Sequence, residues 1–134
     1  MQISVTLRVS GDHLIPEEIS TILHVTPHVA RRKGAIKISP SGKKIIAKFG
    51  LWTWKSEDSS ETSSIDDHIN RLQAAFAHSY ALLGNLPNAE NTWVDICIIK
   101  SEADRGDAHA EFLLGVTSVE ILRQIGLPVE FTIY

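Results

Sequence analysis

The chain opens on an alternation. Ile3, Val5, Leu7 and Val9 fall on one side of an extended segment, and Ser4, Thr6, Arg8 and Ser10 fall on the other. Period two predicts a strand with one face on a core, ending at Gly11-Asp12. A short helix is expected next. Pro16 suits its first position, Glu17 and Glu18 suit the positive end of its dipole, and Ile19, Ile22 and Leu23 form its apolar stripe. Thr26-Pro27 should stop it, because the residue before a proline is pushed out of helical geometry. Ile36 to Ser39 and Lys44 to Lys55 read as two strands around Ser39-Pro40-Ser41-Gly42, where proline second and glycine fourth match a type I turn. In the second strand Ala47, Phe49 and Leu51 share one face, and Trp52 and Trp54 share the other with Lys48 and Gly50.

Residues 56–64 are polar throughout and are expected to form a mobile loop. Ser64 with Asp67 three residues on has the form of a helix cap, and Ile65, Ile69, Leu72, Phe76, Tyr80 and Leu83 then recur at helical spacing. This predicts the longest helix, ended by Gly84-Asn85. Trp93 to Lys100 is a strand with Val94, Ile96 and Ile98 on one face; after a turn at Asp104-Arg105-Gly106-Asp107, His109 to Gly115 is its expected hairpin partner. Thr117 and Glu120 form a capping box, Val119, Leu122 and Ile125 a stripe, and Val129, Phe131 and Ile133 a closing strand. The two ends rhyme: each has a strand, a short striped helix and a proline, an internal pseudo-repeat. Leu7, Phe49, Leu72, Phe76, Val94, Ile96, Phe112, Leu122 and Phe131 are the expected core. The class is α+β: one domain over residues 1–134, with a mainly antiparallel sheet of about five or six strands and three helices largely on one face.

Charge changes this picture in one place. Between Ile19 and Ser56 there is no acidic residue, while Arg31, Arg32, Lys33, Lys37, Lys43, Lys44, Lys48 and Lys55 supply 8 of the 13 basic ones. The remaining 5 basic and 16 acidic residues leave the rest of the chain at −11, so a net charge of −3 hides a strip of +8 on an acidic body. Charge sorted this way makes a field that steers a partner. Three adjacent cations, Arg31-Arg32-Lys33, cannot all be buried, so some face water or a partner.

Catalytic motifs are missing beside the strip. His24 and His28 are four apart, but Pro27 lies between them and removes the helical meaning of that spacing. No His-Glu-x-x-His is present, and Asp104, Asp107 and Glu111 lack the calcium-loop spacing, so no metal site and no cofactor are expected. Cys97 is the only cysteine, which excludes an intramolecular disulfide, and mid-strand it reads as an inert buried thiol. Ser41-Gly42-Lys43-Lys44 lacks the upstream glycine of a phosphate loop. Asp66, Asp67 and His68 suggest acid–base work, though two carboxylates in a first helical turn more simply complement the dipole. No apolar run approaches the roughly 18 residues of a membrane span, and the N-terminus lacks a signal peptide's apolar block. A cytoplasmic protein is expected.

Ser10-Gly11-Asp12, Pro16-Glu17-Glu18-Ile19, Thr26-Pro27 and Arg32-Lys33-Gly34 form an ordered series, followed by Leu51-Trp52-Thr53-Trp54-Lys55 and by the closing segment from Leu122 to Tyr134. Over nearly its whole length the chain resembles the bacterial family called domain of unknown function 4279. The resemblance implies a small stand-alone bacterial protein and carries over no activity and no catalytic residue. The lysine-rich hairpin from Ile36 to Lys48 is more particular to this sequence.

Three functions are carried forward. The first is a non-enzymatic, cytoplasmic protein-binding module, most concretely a toxin-immunity protein or antitoxin, that meets its partner through Arg31, Arg32, Lys33, Lys43, Lys44, Trp52 and Trp54. The second is a nucleic-acid-binding module that uses the strip 31–55, its tryptophans stacking bases; against both stands the reading that Trp52 and Trp54 lie beneath a helix and the lysines are a solvated face. The third is a small enzyme with a scattered site, for which Asp12, His13 and His28 are the first suspects.

Overall fold

The computed structural model describes residues 2–57, 64–100 and 112–134. In chain order the elements are β1 (Gln2–Gly11), α1 (Pro16–Leu23), β2 (Val29–Arg31), β3 (Ile36–Ile38), β4 (Lys44–Ile46), β5 (Gly50–Lys55), α2 (Ile65–Phe76), α3 (Tyr80–Leu83), β6 (Asn91–Ile99), α4 (Val116–Ile125) and β7 (Val129–Ile133). Five strands form one sheet in the order β2-β5-β1-β6-β7, and β3 and β4 pair only with each other. Within the sheet every pairing is antiparallel except β6 with β7. The class is therefore α+β, as the alternation and the helical stripes predict. Among the described residues no helix is long and apolar enough to cross a membrane.

The central strand carries the predicted alternation. Val5, Leu7 and Val9 are fully buried under the helices. Register places Val9 beside Trp52 and Leu7 beside Trp54 on β5, and Val5 beside Ile96 on β6, so these side chains share the helix-covered face. From above, α2 contributes Ile65, Ile69, Leu72 and Phe76, all buried. Phe76 meets both tryptophans edge to face, with ring centroids 6.5 Å from Trp52 and 5.2 Å from Trp54. Such pairs add to plain area burial. The Trp52 indole N–H donates to Ser20 Oγ on α1 at 3.0 Å, which joins helix and sheet.

The predicted cap at Ser64 forms in both directions. The Asp67 amide donates to Ser64 Oγ at 3.2 Å, and the Ser64 amide donates to Asp67 Oδ2 at 3.1 Å. The capping box expected at Thr117 and Glu120 does not form. Helix α4 starts two residues earlier, with Gly115 at the cap position, and Glu120 instead binds Arg123 in its own helix. The cap comes from α2: Asp66 Oδ1 accepts the Gly115 amide at 2.9 Å and the Ser118 hydroxyl at 2.5 Å. Those two bonds, the hydroxyl's first, hold the Asp66 carboxyl below its ordinary range.

Several expectations are corrected. The strand expected over 44–55 is broken at 47–49, because β5 opens at Gly50 where the chain passes very close to β1 and the turn after it. A Cβ on Gly50 would lie 2.6 Å from the Gly11 carbonyl oxygen and 2.9 Å from Leu14 Cβ. Phe49, left outside both strands, is 43% exposed, and Phe131 on the edge strand β7 is 52% exposed, so neither is core. Phe112 and Leu122 pack partly against the core. Helix α4 buries Ser118, Ile121 and Ile125, while Val119 faces outward. The long helix divides at 77–79, where the chain tightens to bonds between residues three apart, and resumes as the single turn α3. Of the strand expected over 109–115, residues 109–111 lie outside the described residues and 112–115 are not extended into a ladder. β6 has β1 on one side and β7 on the other, so it offers no edge for that partner. The turn at 104–107 also lies outside the described residues.

The pseudo-repeat holds locally. α1 and α4 each end on a left-handed residue, His24 (φ 54°) and Gly126 (φ 70°), and a proline then leads into an edge strand. It stops there, because β2 runs antiparallel to its neighbour and β7 parallel.

Candidate partner-binding surface

Residues 29–49 leave the sheet at its β2 edge and return as an arm. Both strands of the ribbon mix Lys and Ile, the segment contains no acidic residue of its own, and no described helix lies over the ribbon. At its base the Gly34 amide donates to the Ala47 carbonyl and the Ala47 amide to the Ala35 carbonyl. Gly34 sits at φ 87°, a left-handed conformation that favours glycine, which lets Arg32 to Ala35 turn the chain. At its tip the Gly42 amide donates to the Ser39 carbonyl at 2.9 Å and the Ser39 amide to the Lys43 carbonyl at 2.8 Å. Gly42 at φ 80° completes a three-residue hairpin loop of the common type, so the turn predicted at 39–42 is present.

The side chains of this ribbon have nowhere to go. Ile36 is 59% exposed, Ile38 71%, Ile45 50% and Ile46 56%. Ile36 lies opposite Ile46, and Lys37 opposite Ile45, so apolar groups stand on both faces. Between β2 and the arm runs a groove of about 480 Å³ lined by Val29, Arg31, Ile36, Lys37 and Ile45 among others. Isolated two-stranded ribbons are marginal in water, and proteins seldom expose a contiguous apolar patch without a use for it.

The cations divide into two groups. At the base, Arg31 lies over the Phe49 ring at 6.0 Å, Arg32 pairs with Glu17 at 3.2 Å and Lys33 with Asp12 at 3.5 Å. Both ion pairs are exposed, and pairs of this kind contribute little stability. They tie the root of the arm to the acidic start of α1. Lys37, Lys43, Lys44 and Lys48 have no ion pair among the described residues. Four extended residues separate Gly34 from Ile38, which pairs with Lys44, so base and tip are roughly 13 Å apart at about 3.3 Å per residue. That exceeds a Debye length of about 8 Å at physiological salt. Arg32 and Lys33 at the base are thus screened from Lys43 and Lys44 at the tip, while Lys37 lies between them and Lys48 follows Ala47 at the base.

The tryptophans do not belong to this surface. Trp52 is fully buried and Trp54 half-buried, both against Phe76, because β5 turns them to the helix side. Of the seven residues expected to meet a partner, Arg31, Arg32, Lys33, Lys43 and Lys44 are on the arm or its root, Trp52 is core, and Trp54 packs half-buried against the core. The four isoleucines are the part that sequence reading missed. Their signal was present as isoleucines at 36, 38, 45 and 46, on both faces of a hairpin, in a segment whose every charge is positive.

The model of the family described as domain of unknown function (DUF4279) matches residues 1–134. The chain belongs to the DUF4279 family. No curated protein and no solved structure matches it. Within this DUF4279 chain the segments that carry the family pattern build the body: Ser10-Gly11-Asp12 makes the close crossing at Gly50, and Leu51 to Lys55 is the strand between β1 and β2. Arg32-Lys33-Gly34 is the turn at the root of the arm.

The enzyme suspects of the DUF4279 chain do not converge. The Lys55 amide donates to His28 Nδ1 at 3.0 Å, which leaves the proton on Nε2, and Nε2 donates to Glu57 at 2.9 Å. Asp12 pairs with Lys33 beside Gly50, at the other end of β5, three to five residues or roughly 10–17 Å away. Asp66, Asp67 and His68 also part company. Asp66 caps α4, Asp67 caps its own helix, and His68 is fully buried with its Nδ1 2.6 Å from Ser56 Oγ. Ser56 Oγ accepts the Val5 amide as well, so this serine and histidine fasten the end of β5 to β1 and α2. Cys97 is half-buried on the face of the sheet opposite Ile96 and Ile98, and burial, with Asp95 second, pushes its thiol upward, away from the reactive thiolate. No group of three or more metal-ligating side chains occurs among the described residues.

Proposed function

We propose that this protein is a cytoplasmic, non-enzymatic binding module whose β3–β4 arm docks on an acidic protein partner, most concretely a toxin that it neutralises. The observation that carries the reading is the free-standing ribbon on which Ile36, Ile38, Ile45 and Ile46 are each at least half exposed beside lysines with no ion pair. Such a surface supplies what a protein interface needs: apolar anchors that gain by desolvation, and a rim of charge that sets the rate and the choice of partner. For single-stranded nucleic acid it offers less: Trp52 is in the core, and the one aromatic at the root of the arm, Phe49, is 43% exposed with the Arg31 guanidinium over its ring.

The test has two arms. Labelled duplex DNA and single-stranded RNA, titrated at physiological salt, should bind no more tightly than about 10⁻⁴ M, the weak end of non-specific binding. Micromolar binding that falls steeply with salt and vanishes in the Arg31→Ala, Arg32→Ala, Lys33→Ala variant would replace the protein reading with the nucleic-acid one. In the second arm the chain is co-expressed with the products of the genes adjoining its own. A toxic neighbour should be neutralised by the wild type and not by Lys43→Glu, Lys44→Glu. Neutralisation that survives both charge reversal and Ile38→Asp would remove the arm from the interface.

A further inference from the structure

At the opposite edge of the sheet, β7 has a strand on one side only among the described residues. Natural edge strands are kept from pairing by shortness, lysine, proline or a bulge. β7 is five residues long, has Pro128 only before its start, contains no lysine, and pairs with β6 without a break in register. Val129 is 36% exposed, Phe131 52%, Ile133 52% and the adjoining Tyr134 73%.

The backbone shows what this edge can receive. The Val94 amide donates to the Pro128 carbonyl, the Tyr134 amide to the Ile98 carbonyl and the Lys100 amide to the Tyr134 carbonyl. The even-numbered residues of β7 thus spend their main-chain groups on β6. Alternation turns the amides and carbonyls of Val129, Phe131 and Ile133 to the free edge.

We infer that β7 pairs antiparallel with the β7 of a second copy about a two-fold axis at Phe131, joining two five-stranded sheets into one. In this register Phe131 faces its own counterpart, and Val129 faces Ile133 of the other copy. All are outward-facing residues, so each pair exchanges main-chain hydrogen bonds. Side chains match as well: apolar meets apolar on the helix side, and Glu130 meets the neutral Thr132 on the other. Centring the axis on Glu130 would instead set two carboxylates face to face and turn the wrong main-chain groups outward. Self-complementarity of this kind is what an isologous interface requires.

Size sets the strength. The exposed parts of these four apolar side chains amount to roughly 400 Å² per copy, so the pair buries at most about 800 Å² of side chain plus the ladder, which is below the size of standard specific interfaces and suits a weak one. Dissociation constants of about 10–100 μM are expected for such an interface.

Sedimentation velocity of the full chain from about 5 to 500 μM tests this. The wild type should pass from 14.8 kDa monomer to dimer across that range. Phe131→Lys and Phe131→Glu each set like charges face to face at the axis, and each alone should stay monomeric at 500 μM with an unchanged thermal midpoint. Mixed in equal amounts, the two should form a heterodimer at least tenfold tighter than either homodimer. A wild type that stays monomeric at 500 μM overturns the inference, whether or not the variants fold. So does a dimer indifferent to both substitutions, or a mixture that gains nothing.

Discussion

Strand β1 and the β3–β4 arm are both rich in aliphatic residues, and they stand at opposite extremes of burial. Val5, Leu7 and Val9 are fully buried, whereas Ile36, Ile38, Ile45 and Ile46 are 50–71% exposed. Alternation specifies a strand and says which side chains share a face. Burial needs a second layer, and layers are made by other parts of the chain. β1 lies in the middle of the sheet with α2 across it; β3 and β4 have only each other. In the body, acids are spent on structure, as in the caps at Asp66 and Asp67. Along the arm there are no acids, and the lysines are left to solvent. The body therefore reads as scaffold and the arm as the surface offered.

The comparison breaks first at Phe76. It is fully buried and touches the two tryptophans that β5 turns inward. Phe76→Ala should cost about 3–5 kcal/mol in denaturant unfolding, the usual range for emptying an aromatic site in a core. A loss below about 1 kcal/mol would mean that the body does not rest on this contact.

A smaller effect is expected at Asp66, which holds two helices at once. Asp66→Ala should cost about 1–2 kcal/mol at neutral pH, the range of a lost N-cap. Its carboxyl is held below the ordinary value of 3.8, so this stability is fully present above that value and is lost as the pH falls through the lower, folded-state value. The difference between wild type and Asp66→Ala should accordingly shrink in strong acid. A difference that is constant from neutral pH down to acid unfolding would show that the cap does not depend on the charge.

The smallest effect sharpens the contrast. Ile38→Ser and Ile46→Ser remove apolar surface that is already mostly in water, so each should change stability by no more than about 0.5 kcal/mol. Losses above about 2 kcal/mol would place these side chains in a hidden core and remove the distinction between arm and body.

Legibility followed the same division. The first strand, the Ser64 cap, the hairpin turn and the closing strand were readable because each depends on neighbours in sequence. The direction of Trp52 was not, because either face of a strand can be the covered one until α2 is placed over it. The cap on α4 was hidden for a similar reason: its acceptor, Asp66, is 49 residues from Gly115, while the local candidates Thr117 and Glu120 satisfied the pattern without forming it. The basic strip was plain in the sequence, but the separation of Arg32 and Lys33 from Lys43 and Lys44 needed the length of the ribbon between Gly34 and Ile38.

The central claim is that the arm meets a protein. Its most direct test is a photo-crosslinking residue placed at Ile38 in living cells, with a second at the exposed Thr21 on the body as a control. The account predicts one discrete protein adduct from position 38, lost when Lys43 and Lys44 are changed to Glu, and none from position 21. Adducts to nucleic acid alone, or equal labelling from both positions, would contradict it.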